Sequence, residues 1–187
     1  MKSEKVVRDF LYFEFCNSRS ICNKLHLIKN YLTGKPKLNM LFITETWLNS
    51  KYTDSMITPP DFNIIRCDRA TGRGGGVLLF YRANLQVDLV NVSCLPNCGY
   101  EIVCVDFYTN SCPIRLCCIY LPPAQSPDIT NHLCSELQRI IPIDKPMFLF
   151  GDFNLPSINW SIPNTLTNDQ SHSVFLDFAQ ITSISMR

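Results

Sequence analysis

The chain has 187 residues, 46% of them hydrophobic, and a formal net charge of +1 at pH 7. This length and composition predict a single globular domain over residues 1–187 with a sizeable core. The small net charge does not suit a strongly basic nucleic-acid binder. No apolar run approaches the length of a membrane span, and the first ten residues lack a signal-peptide core. We therefore expect an intracellular protein with no membrane partner.

The ten cysteines do not indicate a disulfide scaffold. Cys16, Cys104, Cys117 and Cys118 lie in apolar runs where strands are expected, which is typical of cysteines that pack as small hydrophobes. Zinc is the competing interpretation, but Cys94 and Cys98 are four residues apart and have no histidine at ligand spacing. Buried free cysteines are therefore favoured.

Positive charge is concentrated in two segments. Residues 15–44 carry five basic residues and no acidic one, and residues 66–82 carry four arginines and one aspartate. Solvated surface explains each lysine taken singly. Together, the two segments make an anionic polymer such as DNA a plausible partner.

The N-terminal half alternates strand and helix patterns. Apolar residues at helical spacing predict a helix that ends at Gly34 and Pro36; they are Ile21, Leu25, Ile28 and Leu32. Three strands are predicted in this half, at residues 10–15, 38–43 and 77–81. A glycine-rich segment, residues 72–76, precedes the third strand.

The C-terminal half continues with more strands than helices. Residues 102–108 and 114–120 predict an antiparallel pair. Ser126 and Pro127 begin a helix, which Pro142 ends; its apolar face comprises Ile129, Leu133, Leu137 and Ile140. Residues 147–150 predict a short buried strand. The whole pattern predicts an α+β or mixed α/β layered domain.

The sequence Gly-Asp-Phe-Asn at 151–154 follows that last strand directly. If the chain stays extended, Asp152 and Asn154 point to one face and Phe153 turns back to the core. A carboxylate and a carboxamide at the end of a rigid strand suit a metal-bound phosphate or an attacking water.

Polar side chains also stand at the ends of three other predicted strands: Asn17, Glu45 and Tyr120. Ligand and catalytic groups collect at such ends, although each residue could be an ordinary cap or edge residue. The hard oxygen ligands Glu45 and Asp152 favour Mg²⁺ or Mn²⁺ over zinc. Together these groups suit metal-assisted phosphodiester hydrolysis, with no small-molecule cofactor.

The glycine-rich segment lacks the Gly-Lys-Ser/Thr ending of a phosphate loop and leads into a strand. Entry to a hairpin is therefore the better interpretation, although Arg73 could contact a DNA backbone. His26 and His132 fall in predicted helices, and His172 falls in a polar tail. No Ser-His-Asp or Cys-His pairing is indicated.

The motifs occur in the order seen in one family. They are Asn17 to Ser20 with Asn23-Lys24, Glu45-Thr46-Trp47-Leu48, Asp68-Arg69 with Gly72 to Val77, Ile119-Tyr120 with Pro122-Pro123, and Gly151 to Asn154 with Pro156, Ile158 and Trp160. Over residues 10–178 the chain resembles the apurinic-type endonuclease domain of non-LTR (LINE-like) retrotransposons of the jockey and chicken-repeat groups. That domain belongs to the endonuclease/exonuclease/phosphatase superfamily, whose fold is a four-layered α/β sandwich.

The resemblance implies a role for each strand-end residue. Glu45, with Asn17 nearby, would bind the divalent metal, and Tyr120 would contact the scissile phosphate. Asp152 and Asn154 would orient the attacking water and stabilise the transition state. DNA would be the substrate, a reverse transcriptase domain would be expected in the full-length element, and a nuclear location would follow for a functional protein.

The chain departs from the family pattern in two places. Pro123 stands where several relatives have asparagine. The family's closing Ser-Asp-His box, with its catalytic His and Asp, and the closing strands are missing from the sequence, so we expect a C-terminally truncated domain whose enzymatic status is open.

Three hypotheses remain: a DNA-nicking endonuclease, a catalytically inactive remnant or incomplete gene product, and a superfamily cousin acting on phosphoinositides or other phosphate esters. The motifs at 45–48 and 73–77 argue against the third.

Overall fold

The computed structural model describes residues 11–92, 98–109, 112–159 and 169–182, and within them eight strands form two four-stranded sheets. The strands are β1 (Phe13–Asn17), β2 (Met40–Thr44), β3 (Phe62–Cys67), β4 (Val77–Arg82), β5 (Val87–Leu89), β6 (Glu101–Tyr108), β7 (Pro113–Tyr120) and β8 (Met147–Asp152). The helices in these segments are α1 (Leu25–Thr33), α2 (Asp54–Ile57), α3 (Pro127–Ile140) and α4 (Gln170–Ile181). None of these helices has the length and apolarity needed to span a bilayer.

Each sheet carries one parallel strand pair at its edge. The first sheet has the order β1-β2-β4-β3, and only β1 and β2 run parallel. The second sheet has the order β5-β6-β7-β8, and only β7 and β8 run parallel. Parallel neighbours require a crossover, which α1 supplies in the first sheet and α3 in the second. The carboxyl ends of both members of each pair therefore lie at the same edge of their sheet.

Three apolar clusters divide the molecule into four layers. One cluster joins the inner faces of the two sheets, with Phe42 and Leu79 from the first and Val105 and Leu116 from the second. A second joins the outer face of the first sheet to α1. The third joins the outer face of the second sheet to α3 and α4. The predicted α/β sandwich of four layers is confirmed.

The antiparallel pairing of β6 with β7 and the helix that begins at Ser126 are confirmed. The Ser126 hydroxyl accepts the N–H of Ile129 at 3.4 Å, as an N-cap residue does. The glycine-rich segment enters a hairpin, as predicted, because β3 and β4 are antiparallel neighbours.

The first strand differs from its prediction at the downstream end. Residues 1–10 lie outside the described segments, and β1 continues past residue 15 to Asn17. Pairing with β2 sets this end, because Asn17 is in register with Thr44. The strand therefore ends two residues later than the sequence predicts.

The strand predicted at residues 147–150 is present as β8, but the prediction that it is buried is wrong. Strand β8 is an edge strand of the second sheet, and Phe148 is 51% exposed. Phe150 does pack between the sheets, where its ring centroid lies 4.9 Å from that of Phe42. Apolar composition alone does not distinguish an edge strand from a central one.

The predicted polar tail around His172 is also wrong, because this segment forms α4. The Asp169 carboxylate caps the helix by accepting the N–H groups of Ser171 and His172. Apolar residues of α4 complete the outer core of the second sheet, and His172 is buried.

The cysteine prediction holds for the second sheet and fails for β1. Cys104, Cys117 and Cys118 are free and buried, and burial raises the pKa of the Cys117 and Cys118 thiols well above its ordinary value. Cys16 lies on the edge strand β1 and is exposed. Cys94 lies outside the described segments.

Candidate active site

Asn17, Glu45 and Asp152 meet where the carboxyl ends of the two parallel pairs face each other. The Asn17 amide nitrogen donates to Glu45 Oε1 at 2.9 Å and to Asp152 Oδ2 at 2.6 Å. Asn17 ends β1, Glu45 directly follows β2, and Asp152 ends β8. One amide group thus holds together two carboxylates that belong to different sheets.

The backbone at Glu45 is held in an unusual conformation. Glu45 and Trp47 have φ angles of +53° and +59°, a region that non-glycine residues seldom adopt. Hydrogen bonds on both sides hold this loop: the Glu45 carbonyl accepts the N–H of Ser20 at 2.7 Å, and the Trp47 N–H donates to the Gly75 carbonyl at 3.0 Å. Strained backbone of this kind is commonly found at functional sites.

Tyr120 stands beside Asp152 at the end of β7, because the two residues are in register. Its side chain is buried between the sheets. Burial, together with the nearby Glu45 carboxylate, raises the pKa of Tyr120 to about 12. The phenol is therefore protonated at neutral pH and serves as a hydrogen-bond donor, which suits contact with a phosphate oxygen.

Asn154 does not share a strand face with Asp152, so the extended-chain prediction is wrong at this residue. Strand β8 ends at Asp152, and Asn154 has a φ angle of +47°. Its amide nitrogen donates to the Leu121 carbonyl at 2.9 Å, which fixes the side chain beside the end of β7. Phe153 does turn towards the core, where it packs on Phe175 with ring centroids 5.1 Å apart.

A cavity of about 540 Å³ adjoins the Glu45 loop on the side of the glycine-rich segment. It is lined by Ser20, Cys22, Asn23, Trp47, Leu48, Asn49, Arg69, Gly72, Arg73 and Gly74. Arg73 is exposed, and its guanidinium lies 5.0 Å from the centroid of the Trp47 ring. The lining carries no carboxylate, and of its two arginines Arg69 is paired with Glu101, so the exposed Arg73 is the cation that makes the cavity favour an anionic ligand.

Sequence analysis named Arg69 only as part of the Asp68-Arg69 motif, gave it no role, and did not identify its partner Glu101. They form a two-point ion pair with N–O distances of 2.7 and 3.0 Å. Glu101 is also in register with Tyr120 across β6 and β7. The available signal is a carboxylate at the start of a mostly apolar strand, which requires a partner when it is buried.

The site fits a hard divalent cation better than zinc. Within the described segments, no cluster of three or more His, Cys, Asp or Glu side chains is arranged to hold a metal. Mg²⁺ does not need such a cluster, because it binds one or two carboxylates and takes its remaining ligands from water and substrate phosphate. Glu45 is the carboxylate expected to bind the metal, and Asp152 lies beside it, since both contact one nitrogen atom of Asn17.

A sequence model described as the Endonuclease/Exonuclease/phosphatase family matches residues 17–184. The chain belongs to this family. No curated protein sequence matches it significantly.

Solved structures share the fold of this endonuclease/exonuclease/phosphatase domain. An AP endonuclease from Archaeoglobus fulgidus is 15% identical with a TM-score of 0.66, over 92% of this chain and 71% of that one. A 3′ phosphatase, NExo from Neisseria, bound to a product DNA hairpin, is 15% identical with a TM-score of 0.65 and the same coverage. The endonuclease domain of TRAS1, a telomere-specific non-LTR retrotransposon, is 12% identical with a TM-score of 0.56, over 92% of this chain and 70% of that one. At these identities the likeness concerns the fold alone.

Proposed function

We propose that this chain is a single domain that cleaves DNA phosphodiester bonds with a divalent metal, as the endonuclease domain of a non-LTR, LINE-like retrotransposon. One observation carries the proposal: the Asn17 amide contacts both Glu45 and Asp152, which brings two carboxylates together across the two sheets. The fold of the family suits phosphoester hydrolysis, and this arrangement supplies groups that can bind a metal, a phosphate oxygen and a water.

Each residue has a distinct task in the proposed reaction. Glu45 and Asn17 would hold Mg²⁺ or Mn²⁺, which when bound would offset the negative charge that develops on the phosphate oxygens. Tyr120 donates a hydrogen bond to the scissile phosphate, because its phenol stays protonated at neutral pH. Asp152 accepts a hydrogen bond from the attacking water, and Asn154 positions the same water or a phosphate oxygen.

DNA is the proposed substrate because a cavity that suits an anion adjoins the site together with an exposed arginine. Arg73 is exposed above Trp47 and would contact the DNA backbone next to the scissile phosphate. Several other cations of the basic segments are already bound within the protein: Lys24 donates to the Ser18 carbonyl at 2.6 Å, and Lys35 pairs with Glu14 at 2.6 Å. Among the described residues of the two basic segments, DNA binding therefore rests on few cations outside such contacts, in keeping with a transient substrate contact.

The comparisons support DNA and the retrotransposon assignment by analogy. The NExo structure contains a DNA hairpin, and the TRAS1 structure is the endonuclease domain of a retrotransposon. The shared order of the motifs at 45–48, 73–77 and 151–154 favours the same assignment. In that setting the domain would act in the nucleus, and a reverse transcriptase would act on the nick.

Nicking of supercoiled plasmid by the full chain tests the proposal. We expect nicking that requires Mg²⁺ or Mn²⁺, and we expect Glu45→Gln to lower its rate by about 10²-fold, because an amide is a poor ligand for a hard cation. The matched control is Glu14→Gln, which makes the same change at the Lys35 ion pair away from the site. Equal rates for the two variants would remove Glu45 from the site. A folded protein that binds Mn²⁺ but does not nick DNA would support an inactive remnant instead.

A further inference from the structure

A charged pair with no place in the proposed reaction lies beside Tyr120. Arg69 Nε and Nη2 donate to the two carboxylate oxygens of Glu101 at 2.7 and 3.0 Å. The Glu101 side chain is only 7% exposed and that of Arg69 is 22% exposed. The pair is therefore largely shielded from solvent at the edge of the site.

Stability alone is a weak explanation for this arrangement. Removing two charges from water has a cost that their attraction often fails to offset, so a buried ion pair frequently adds little net stability. The bidentate pairing does fix the orientation of the guanidinium, because two parallel hydrogen bonds restrict rotation of the Arg69 side chain.

The fixed guanidinium lies against the proposed phosphate-binding phenol. Its central carbon is 5.5 Å from the centroid of the Tyr120 ring, within the distance of a cation–π contact. Glu101 pairs directly with Tyr120 across β6 and β7, so the carboxylate that orients Arg69 belongs to the neighbouring strand.

The glycine-rich segment is shaped around the same pair. A Cβ atom at Gly75 would lie 2.5 Å from Arg69 Nε, so a side chain there would displace the guanidinium. The Gly76 N–H donates to Glu101 Oε2 at 3.3 Å. These contacts connect the segment that carries Arg73 with the pair that contacts Tyr120.

We propose that Arg69, oriented by Glu101, is a positioning residue that holds the Tyr120 ring where its hydroxyl meets the substrate phosphate. This role of Tyr120 rests on the proposed function. The pair also transmits the position of the glycine-rich segment to Tyr120, since both of its members contact that segment.

The first test does not require activity. In the full chain with ¹³C-labelled tyrosine, the Tyr120 ring resonance is assigned by its loss in Tyr120→Phe. We expect Arg69→Met to shift or broaden this resonance, and Arg69→Lys to restore it in part, because lysine keeps the charge over the ring and loses the bidentate pairing. The matched control is Arg115→Met, which removes a similar two-point pair with Asp106 from the other end of the same two strands. A Tyr120 resonance unchanged by Arg69→Met, or changed equally by Arg115→Met, would overturn the proposal.

The second test uses plasmid nicking and a double-mutant cycle. We expect Arg69→Met to lower kcat by about 10²-fold with KM nearly unchanged, which is the size of effect that misplacing a catalytic group by about 1 Å produces. In a Tyr120→Phe background the same change should add little, whereas additive effects would overturn the positioning role. Glu101→Gln, which keeps the side-chain size, should also lower kcat, and it replaces Arg69→Met in this test if that variant does not fold. If the parent chain does not nick DNA, the proposed function fails and the tyrosine resonance alone decides the positioning role.

Discussion

Gly151 is the position where the structure predicts the largest effect of a single methyl group. A Cβ atom there would lie 1.9 Å from the carbonyl oxygen of Ile119 and 2.8 Å from its nitrogen. Ile119 is the register partner of Gly151, so relief of the overlap requires β8 to move away from β7. The φ angle of +148° is itself unfavourable for alanine, by about 1–3 kcal/mol. Hydrogen bonds lost between the strands add about 1 kcal/mol each.

We therefore expect Gly151→Ala to lower the free energy of unfolding by about 3–5 kcal/mol, measured by urea denaturation with circular dichroism. Gly72→Ala is the matched control, because Gly72 has a φ angle of +84° and a Cβ atom added there would meet nothing within 4 Å. It should cost only about 1–2 kcal/mol, which is the effect of the backbone conformation alone. If the two variants lose the same free energy, the close approach of β7 to Gly151 does not limit this position.

Two further predictions concern the site and the second sheet. Asp152→Ala should lower the nicking rate by about 10²-fold with little loss of stability. Phe153→Ala should leave the nicking rate nearly unchanged and lower the free energy of unfolding by about 2 kcal/mol, since its ring is only partly buried. Measurements of nicking rate and of urea denaturation on both variants check this, and the reverse pattern would contradict the assignment of these side chains. The Arg115 guanidinium, with a smaller contribution from Lys145, lowers the pKa of Asp106. This stabilisation is present above the unfolded-state pKa of about 3.9 and is lost as pH falls through the lower folded-state value. Unfolding free energy should thus fall with pH below about 4, with a smaller slope in Asp106→Asn, and equal slopes would show that this carboxylate does not contribute.

The strand ends that form the site follow from local sequence pattern. Asn17, Glu45, Tyr120 and Asp152 each stand where an apolar run gives way to polar residues, and the structure brings these ends to one place. Periodicity and the residues that end a strand are local features, so they can be identified from the sequence without knowledge of the tertiary fold.

The features that sequence analysis missed depend on contacts between distant segments. Strand β5, Val87–Leu89, has three residues, too few to show a pattern. Strand β3, Phe62–Cys67, alternates poorly, and its pairing with β4 decides its conformation. The Arg69–Glu101 pair joins residues 32 positions apart. Asn154 leaves the extended conformation for a left-handed one, and no alternation rule anticipates that change.

The contact between Asn17 and Asp152 has a consequence for folding. These residues are 135 positions apart and belong to different sheets, so their contact forms only after both sheets have docked. A divalent cation held by Glu45 and Asn17 on the first sheet would also face the Asp152 carboxylate of the second, so it would bind the docked arrangement more tightly than the separated sheets and by mass action stabilise the interface between them. Metal affinity is then a measure of how well the sheets are joined. A substitution in the cluster of Phe13, Phe42 and Phe150, which packs between the sheets, would weaken metal binding by loosening that interface without altering any ligand.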